Sequence, residues 1–292
     1  MVRCAVRDAY ADLAALYDVM ASDPAIDAFY REWRRSLRAA MTEHGVGPRV
    51  LVDLACGTGN STVPWARRSG LRVVGVDRSE AMLRVARSKV SSVHWHRQDL
   101  RKLRIAEHAD VVTCHFDALN HVLLEAELQR VFRNVARVLV EGGLFQFDLN
   151  TRHMLRWLGG RQKLLRAGPH WYMADNTFDP STGIATFRQV WFVASGRLYR
   201  KMEIVVRERA YDDRDLRRML HRAGMGLVRV WAQRDVEGEP GRKVYLAVGG
   251  PGPSLTRAAR RQRRRSGGSP RPCRGVARRA PGPARTRSSR RS

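Results

Sequence analysis

The sequence predicts an α/β protein built on an open sheet, and three observations carry that expectation. Between residues 45 and 150, short β-branched and aliphatic runs alternate with segments whose apolar residues step by three and four. The first run, Val50–Leu54, leads straight into two glycines one residue apart, Gly57 and Gly59. The second, Leu71–Val76, ends in an acid, Asp77. A strand, a glycine turn and a helix start make a nucleotide cradle, because glycine lets a ligand approach the backbone and free N–H groups point at it. An ordinary strand-to-helix turn has the same glycines. The acid moves the balance, since at the end of the second strand it is placed to accept both hydroxyls of a ribose.

The elements follow in order. Residues 8–40 read as two helices, one with Leu13, Leu16, Tyr17 and Met20 on a face, the other with Ile26, Phe29, Tyr30, Trp33 and Leu37. Ser22-Asp23-Pro24 separates them as a turn and cap. After the glycines, Asn60 or Ser61 caps a helix running to about Arg68, with Pro64 tolerated in its first turn. Ser79 caps a helix carrying Met82, Leu83, Val85 and Ala86. Val93–Arg97 is the third strand, followed by Gln98-Asp99-Leu100, and Ala109–His115 is the fourth. The loop Phe116–His121 lies at its carboxyl end, where open α/β sheets bind ligands. Residues 122–139 form an amphipathic helix ended by Glu141-Gly142-Gly143, and Leu144–Leu149 is the fifth strand.

Residues 151–209 interrupt this alternation. Trp171–Phe178, Ile184–Ala194 and Arg197–Arg209 are rich in aromatic and β-branched residues. They are split by Asp179-Pro180-Ser181-Thr182-Gly183 and by a two-residue turn, Ser195-Gly196, which predicts a three-stranded antiparallel meander. Inserted after the fifth strand, it falls on the ligand side of the sheet and reads as a substrate cover. Asp212 or Asp213 then caps a helix with Leu216, Met219, Leu220 and Ala223 on one face, stopped by Gly224. Leu227–Ala232 and Val244–Val248 supply the last two strands.

Composition sets the bounds. A chain of 292 residues can bury a full core. Fourteen of the +26 formal charges come from arginines beyond residue 251, leaving a dispersed +12 on the rest. The four cysteines, Cys4, Cys56, Cys114 and Cys273, lie far apart without metal-ligand spacing, which suits a reduced, cytoplasmic protein. No apolar run reaches transmembrane length, and Asp8 and Asp12 stand where a signal peptide would be apolar. Residues 250–292 are Arg, Pro, Gly, Ser and Ala with almost no large apolar side chains, a composition that stays disordered. This tail reads either as a grip on nucleic-acid phosphates, as a solvated appendage, or as an accidental extension of the kind GC-rich DNA yields when read past its stop.

Two nucleotide-binding alternatives are disfavoured. Gly57-Thr58-Gly59-Asn60-Ser61-Thr62 lacks the third small residue of a dinucleotide fingerprint, and no Lys follows as in a triphosphate-binding loop. Asp53-Leu54-Ala55-Cys56-Gly57-Thr58-Gly59 instead resembles the glycine motif of class I S-adenosylmethionine-dependent methyltransferases. Val74-Gly75-Val76-Asp77-Arg78-Ser79-Glu80-Ala81-Met82-Leu83 resembles that family's second motif, and Leu139-Val140-Glu141-Gly142-Gly143 its Leu-x-Pro-Gly-Gly turn, with Glu141 in the place of the proline. The resemblance covers residues 45–249. It implies a Rossmann-like seven-stranded methyltransferase sheet with an N-terminal helical lid over 1–44, a cofactor-binding core over 45–150, an antiparallel β insertion over 151–209 and a return to the sheet over 210–249.

The same resemblance implies S-adenosyl-L-methionine as cofactor, held by Tyr17, Asp53, Ala55, Gly57, Gly59, Asp77, Arg78, Met82, Asp99, Leu100, His115 and Phe116. Gly57 and Gly59 would pass the amino-acid part, Asp53 would orient the loop and reach the amino group, Asp77 would bind the ribose and Asp99 the adenine. Tyr17-Asp18 matches a lid segment of similar enzymes, although Tyr17 also fits as a helix-face core residue; Asp99 also fits as a solvated turn acid. Methyl transfer needs orientation and desolvation rather than a nucleophilic side chain, and alignment alone can account for roughly 7–11 kcal/mol of barrier. A base near the transfer point would free an acceptor lone pair. Asn120-His121 resembles N-methyltransferases acting on glycine and amino-sugars, so His121 is one candidate and Asp148, at the end of the fifth strand, the other; His121 could instead cap the helix that follows it, and Asp148 the helix after the strand.

The expected function is transfer of a methyl group from S-adenosylmethionine to a small molecule, an amine before others, with nucleic acid engaging only the tail. The alternatives are a methyltransferase of RNA or protein, or a non-catalytic protein acting through its basic tail. Deleting residues 252–292 is expected to leave the melting temperature and cofactor binding unchanged while abolishing any salt-sensitive nucleic-acid affinity. Loss of turnover on every acceptor, with cofactor binding intact, would instead put the tail in substrate recognition.

Overall fold

The computed structural model describes residues 10–234 and 238–250; the tail and its expected disorder lie outside them, as do Cys4 and Cys273. Two helices come first, α1 (Ala14–Ala21) and α2 (Pro24–Glu43). They break where the Asp23 carboxylate accepts the Ala25 N–H at 2.8 Å. Five strands follow: β1 (Val50–Leu54), β2 (Arg72–Asp77), β3 (His94–Arg97), β4 (Ala109–Cys114) and β5 (Leu139–Asn150). Between them run α3 (Val63–Ala66), α4 (Glu80–Lys89) and α5 (Glu125–Val138). After α6 (Arg152–Gly159) come β6 (Gln162–Ala167), β7 (His170–Asp179), β8 (Ile184–Ser195) and β9 (Leu198–Arg209), and then α7 (Asp213–Arg222), β10 (Met225–Arg234) and β11 (Pro240–Gly249).

The seven-stranded sheet has the order β10-β11-β5-β4-β1-β2-β3. Strands β1 to β5 are parallel, and β11 runs antiparallel between β5 and β10. Strand order reverses between β1 and β4, which opens a crevice beyond their carboxyl ends. Successive side chains point to opposite faces. Val52, Val112, Phe145 and Phe147 therefore meet α5 and α7 on one side, through Leu128, Phe132, Leu216 and Leu220. Leu51, Val73, Val111 and Leu246 meet Leu37, Ala40 and Met41 of α2 on the other. Among the described residues no helix is long and apolar enough to cross a membrane.

The antiparallel sheet, β6-β7-β8-β9, has four strands where the sequence suggested three. The extra strand, β6, is an edge strand; Gln162, Leu164, Leu165 and Arg166 are exposed, so no alternating pattern announces it. On the inner face of the sheet, Trp191, Met202 and Ile204 pack on Leu16 of α1 and on Leu13 at its N-cap, and Ala185 and Phe187 pack with Leu155 of α6.

Four local expectations change. Helix α3 is one turn long and has no side-chain cap; the Asn60 and Ser61 side chains bond to Asp18 and Asp53 instead. Helix α5 starts at Glu125, with Leu124 at its N-cap, so His121 does not cap it. Neither Asp212 nor Asp213 caps α7 through its side chain; Asp213 is bonded to Lys243 and Tyr245. Ser195 pairs with Leu198, which centres the hairpin turn on Gly196-Arg197.

Gly75 in β2 lies beside Trp95 in β3, and the indole covers the face where a side chain would stand. An added Cβ there would meet two carbons of the ring at 2.3 Å. Gly75→Ala is expected to destabilise the protein by roughly 1–3 kcal/mol through overpacking. Urea unfolding checks it, and an unchanged midpoint would show that the indole has room to move.

Candidate functional site

Strands β1, β2, β3 and β4 all end at one cleft of about 910 Å³. The turn after β1 gives it Ala55 and Gly57, the end of β2 gives Asp77 and Arg78, and the turn after β3 gives Asp99, Leu100 and Arg101. Helix α4 contributes Met82, the end of β4 His115, Phe116 and His121, and the N-terminal segment Tyr10 and Tyr17. Of the residues expected at the cofactor or the reacting atoms, all but Asp53, Gly59 and Asp148 line this space.

Those three sit behind the wall. Asp53 is 1% exposed. Its two oxygens accept hydroxyls from Ser61 and Thr62, both at 2.6 Å, and from Thr113 at 2.7 Å. It therefore ties the glycine turn to β4. Gly59 faces inward: an added Cβ would meet the Trp95 ring at 3.0 Å and Ala86 at 3.3 Å. Gly57, with φ +52, has nothing within 4 Å of that position and stands open to the cleft. Asp77 accepts the Gly57 N–H at 2.9 Å and the Ser79 N–H at 2.8 Å, joining the ends of β1 and β2. Burial works to raise the Asp99 carboxyl, but hydrogen bonds and charge from Arg101 hold it below its ordinary range. Arg101 also reaches Glu127 of α5.

Asp148 has 0% side-chain exposure and does not cap α6; Thr151 does, accepting the Met154 N–H at 3.1 Å. The expectation that Asp148 faces the reacting atoms is thus corrected. Its oxygens take the N–H groups of Phe116 at 2.6 Å and Asp117 at 3.0 Å. Both residues have left-handed backbones, φ 63 and 53, which cost energy outside glycine unless the surroundings fix them. Arg242 of β11 completes the clamp by pairing with Asp148 and, at 2.9 Å, with Asp117. Its guanidinium lies over the rings of Phe29, Trp33 and Phe116.

A second cavity, about 1470 Å³ with its open mouth included, lies under the antiparallel sheet. The period-two alternation of β7, β8 and β9 gives it Tyr172, Ala174, Asn176, Phe187, Gln189, Ile204, Val206 and Glu208 from a single face. Tyr10, Tyr17, Phe116 and His121 line both cavities and mark where they meet. His121 is held by the Arg207 carbonyl, 3.1 Å from Nδ1, which places the proton of the neutral ring on that nitrogen. Nε2 is then the acceptor, 3.1 Å from the Tyr10 hydroxyl. Burial pushes the His121 imidazole below its ordinary value, against the pull of Asp117. Beside it, Asn120 bonds the backbone of Asn150 and Arg209, docking the loop on both sheets.

Residues 51–143 match the family model described as a methyltransferase domain. The chain is 29% identical over 237 residues to YqeM of Bacillus subtilis (strain 168), which carries a provisional methyltransferase name, covering 76% of this chain and 89% of that one. The crystal structure of an S-adenosylmethionine-dependent methyltransferase from Clostridium acetobutylicum ATCC 824 is similar with a TM-score of 0.71 and 26% identity, over 82% of this chain and 99% of that one. The domain model, this relative and this structure all point to an S-adenosylmethionine-dependent methyltransferase. A shorter likeness, 32% identity over 132 residues, links this methyltransferase to dTDP-3-amino-3,6-dideoxy-alpha-D-glucopyranose N,N-dimethyltransferase of Streptomyces fradiae; it spans 45% of this chain and 51% of that one.

Sequence reasoning missed Arg242, Arg101, Tyr10 and Glu208. Arg242 follows no motif, and only its pairing with distant carboxylates reveals it. Removing one partner of a buried ion pair leaves an uncompensated charge. Arg242→Met is therefore expected to cost about 3–5 kcal/mol in urea unfolding at neutral pH. A loss under about 1 kcal/mol, the range of exposed pairs, would show that the clamp is not what holds the turn.

Proposed function

We propose that the methyltransferase moves a methyl group from S-adenosyl-L-methionine in the first cleft to the nitrogen of a small-molecule amine in the second cavity. The observation that carries this reading is the junction at Tyr10, Tyr17, Phe116 and His121, where the two spaces share walls. The residues of the first cleft fit the cofactor. Open backbone at Ala55 and Gly57 suits its amino-acid part, the Asp77 carboxylate the ribose hydroxyls, and Leu100 and Met82 a flat ring whose amino group donates to Asp99. Asp53 acts on the turn and not on the ligand. S-adenosylmethionine supplies an electrophilic methyl carbon on a sulfonium sulfur.

The chain's own groups then orient the acceptor and manage its proton. His121 Nε2 is the base that holds a proton from the acceptor nitrogen, and burial keeps the ring neutral and ready for it. Asp148 and Arg242 position Phe116 rather than touch the reacting atoms. Residues 1–44 act as the lid and 151–209 as the substrate cover, with 210–249 returning to the sheet. The Streptomyces fradiae relative is named for methylating an amino group on a nucleotide-linked sugar. The second cavity, with Asn176, Gln189 and Glu208 set among apolar side chains, suits a polar acceptor of that kind.

Calorimetry tests the reading. The protein is expected to bind S-adenosylmethionine and S-adenosylhomocysteine but neither NAD nor ATP. A charge-assisted hydrogen bond contributes roughly 1.5–3 kcal/mol, so Asp77→Ala should weaken cofactor binding at least about tenfold with the fold intact. Full affinity in the folded variant would remove Asp77 from the cofactor site.

A further inference from the structure

The second cavity contains two carboxyls that the transfer chemistry above does not use, beside the histidine that it does. Asp117, from the left-handed turn after β4, Glu208, near the end of β9, and His121 bring one ligand atom each within 4.8 Å of one another. All three line the cavity. Glu208 is 5% exposed and continues the inner-face series Met202, Ile204 and Val206, where nothing in the packing calls for an acid. One of its oxygens accepts the Asn150 amide at 2.9 Å. Asp117 is paired with Arg242, which is shared with Asp148.

Asp117 already shares Arg242 with Asp148, and a second ionised carboxyl at the buried Glu208 beside it is strongly disfavoured. Burial, followed by the charge of Asp117, pushes the Glu208 carboxyl well above its ordinary value, which favours its protonated form. With that proton in place, Asp117, Asp148 and Arg242 leave one negative charge uncompensated. In the same wall, two strands across and one row along the sheet, the Oδ1 atom of Asn176 is buried without a hydrogen-bond partner. Both features ask for a ligand that brings donors and one positive charge.

We propose that the Asp117–Glu208 pair is the seat of the acceptor's amino group, which enters as an ammonium ion and is held there beside His121. This rests on the methyl-transfer reading and adds to it the charge state of the substrate class: a protonated primary or secondary amine, and not a hydroxyl, an amide or a carbon acid. The ammonium N–H groups take the place of the Glu208 proton, which leaves to solvent, and bond both carboxylates. One ammonium proton passes to His121 Nε2, and the nitrogen keeps the electron pair of that N–H bond as its lone pair. The imidazolium so formed is stabilised by the Asp117 carboxylate and by the Nδ1–H bond to the Arg207 carbonyl. The Tyr10 hydroxyl, 3.1 Å from Nε2, marks where a donor to that nitrogen sits.

The smallest probe of the seat is methylammonium. The protein saturated with S-adenosylhomocysteine is titrated with methylammonium chloride, and separately with sodium chloride at matched ionic strength, following the melting temperature. A saturable rise with methylammonium alone is expected. Glu208→Gln should raise the half-saturating concentration at least about tenfold, as loss of a charge-assisted hydrogen bond does. Asp117→Asn gives the same readout should the first variant fail to fold. Equal responses to the two salts, or a methylammonium response unmoved by the substitutions, overturns the proposal. So does a single zinc site that Glu208→Gln removes while methylammonium stays silent, because the cluster would then belong to a metal. Calorimetry of S-adenosylhomocysteine on the same samples separates the two readings: retained cofactor binding with a flat methylammonium response ends the seat alone, and absent cofactor binding ends both.

Discussion

The site depends on the buried ion pair between Asp148 and Arg242. A carboxylate with no exposure is tolerable only if every lone pair is used, and here the donors are two consecutive backbone N–H groups and a guanidinium. Those N–H groups belong to the left-handed pair Phe116-Asp117, so satisfying the charge and bending the loop are a single event. The bend sets Phe116 against Tyr30 and presents Asp117 to the second cavity. Asp53 repeats the arrangement two strands away, spending its oxygens on three hydroxyls and so shaping the turn that carries Gly57. Both loops are fixed by the protein's own charges before a ligand arrives, which lowers the ordering cost of binding.

Most of the main sheet was legible because its signals are local. The run Val50–Leu54 is β1 residue for residue, and Ser79 caps α4 by accepting the Met82 N–H at 3.4 Å. The misread caps share one cause: a side chain that could cap its own helix was drawn to a partner outside it. Asn60 went to Asp18, Ser61 to Asp53 and Asp213 to Tyr245, and a reading confined to neighbouring residues cannot weigh those pulls. Strand β6 failed differently, since an exposed edge strand has no buried face to impose alternation.

The site divides along the same line. Its first cleft was readable because Asp77 and Asp99 follow directly on strands and the glycine turn is continuous in sequence. The second cavity gathers Tyr10, Glu208 and Arg242 around His121 from separate segments, with no spacing to betray those three. One signal was available. Asn176, Gln189 and Glu208 interrupt the apolar face of strands that otherwise alternate cleanly, and a polar residue on a face due to be buried points to a cavity or a partner.

Helix α1 has a consequence of its own. Asp18 fastens it to the glycine turn through Thr58 at 2.7 Å and Asn60 at 3.1 Å, and to α4 through Lys89 at 2.7 Å, while Leu13 and Leu16 rest on the antiparallel sheet. Tyr17 on this eight-residue helix borders both cavities. A ligand that seats the helix from either side spends free energy the other need not spend again. Any coupling of this kind between the two cavities is reciprocal: whatever factor a ligand in one adds to affinity in the other is returned in equal measure.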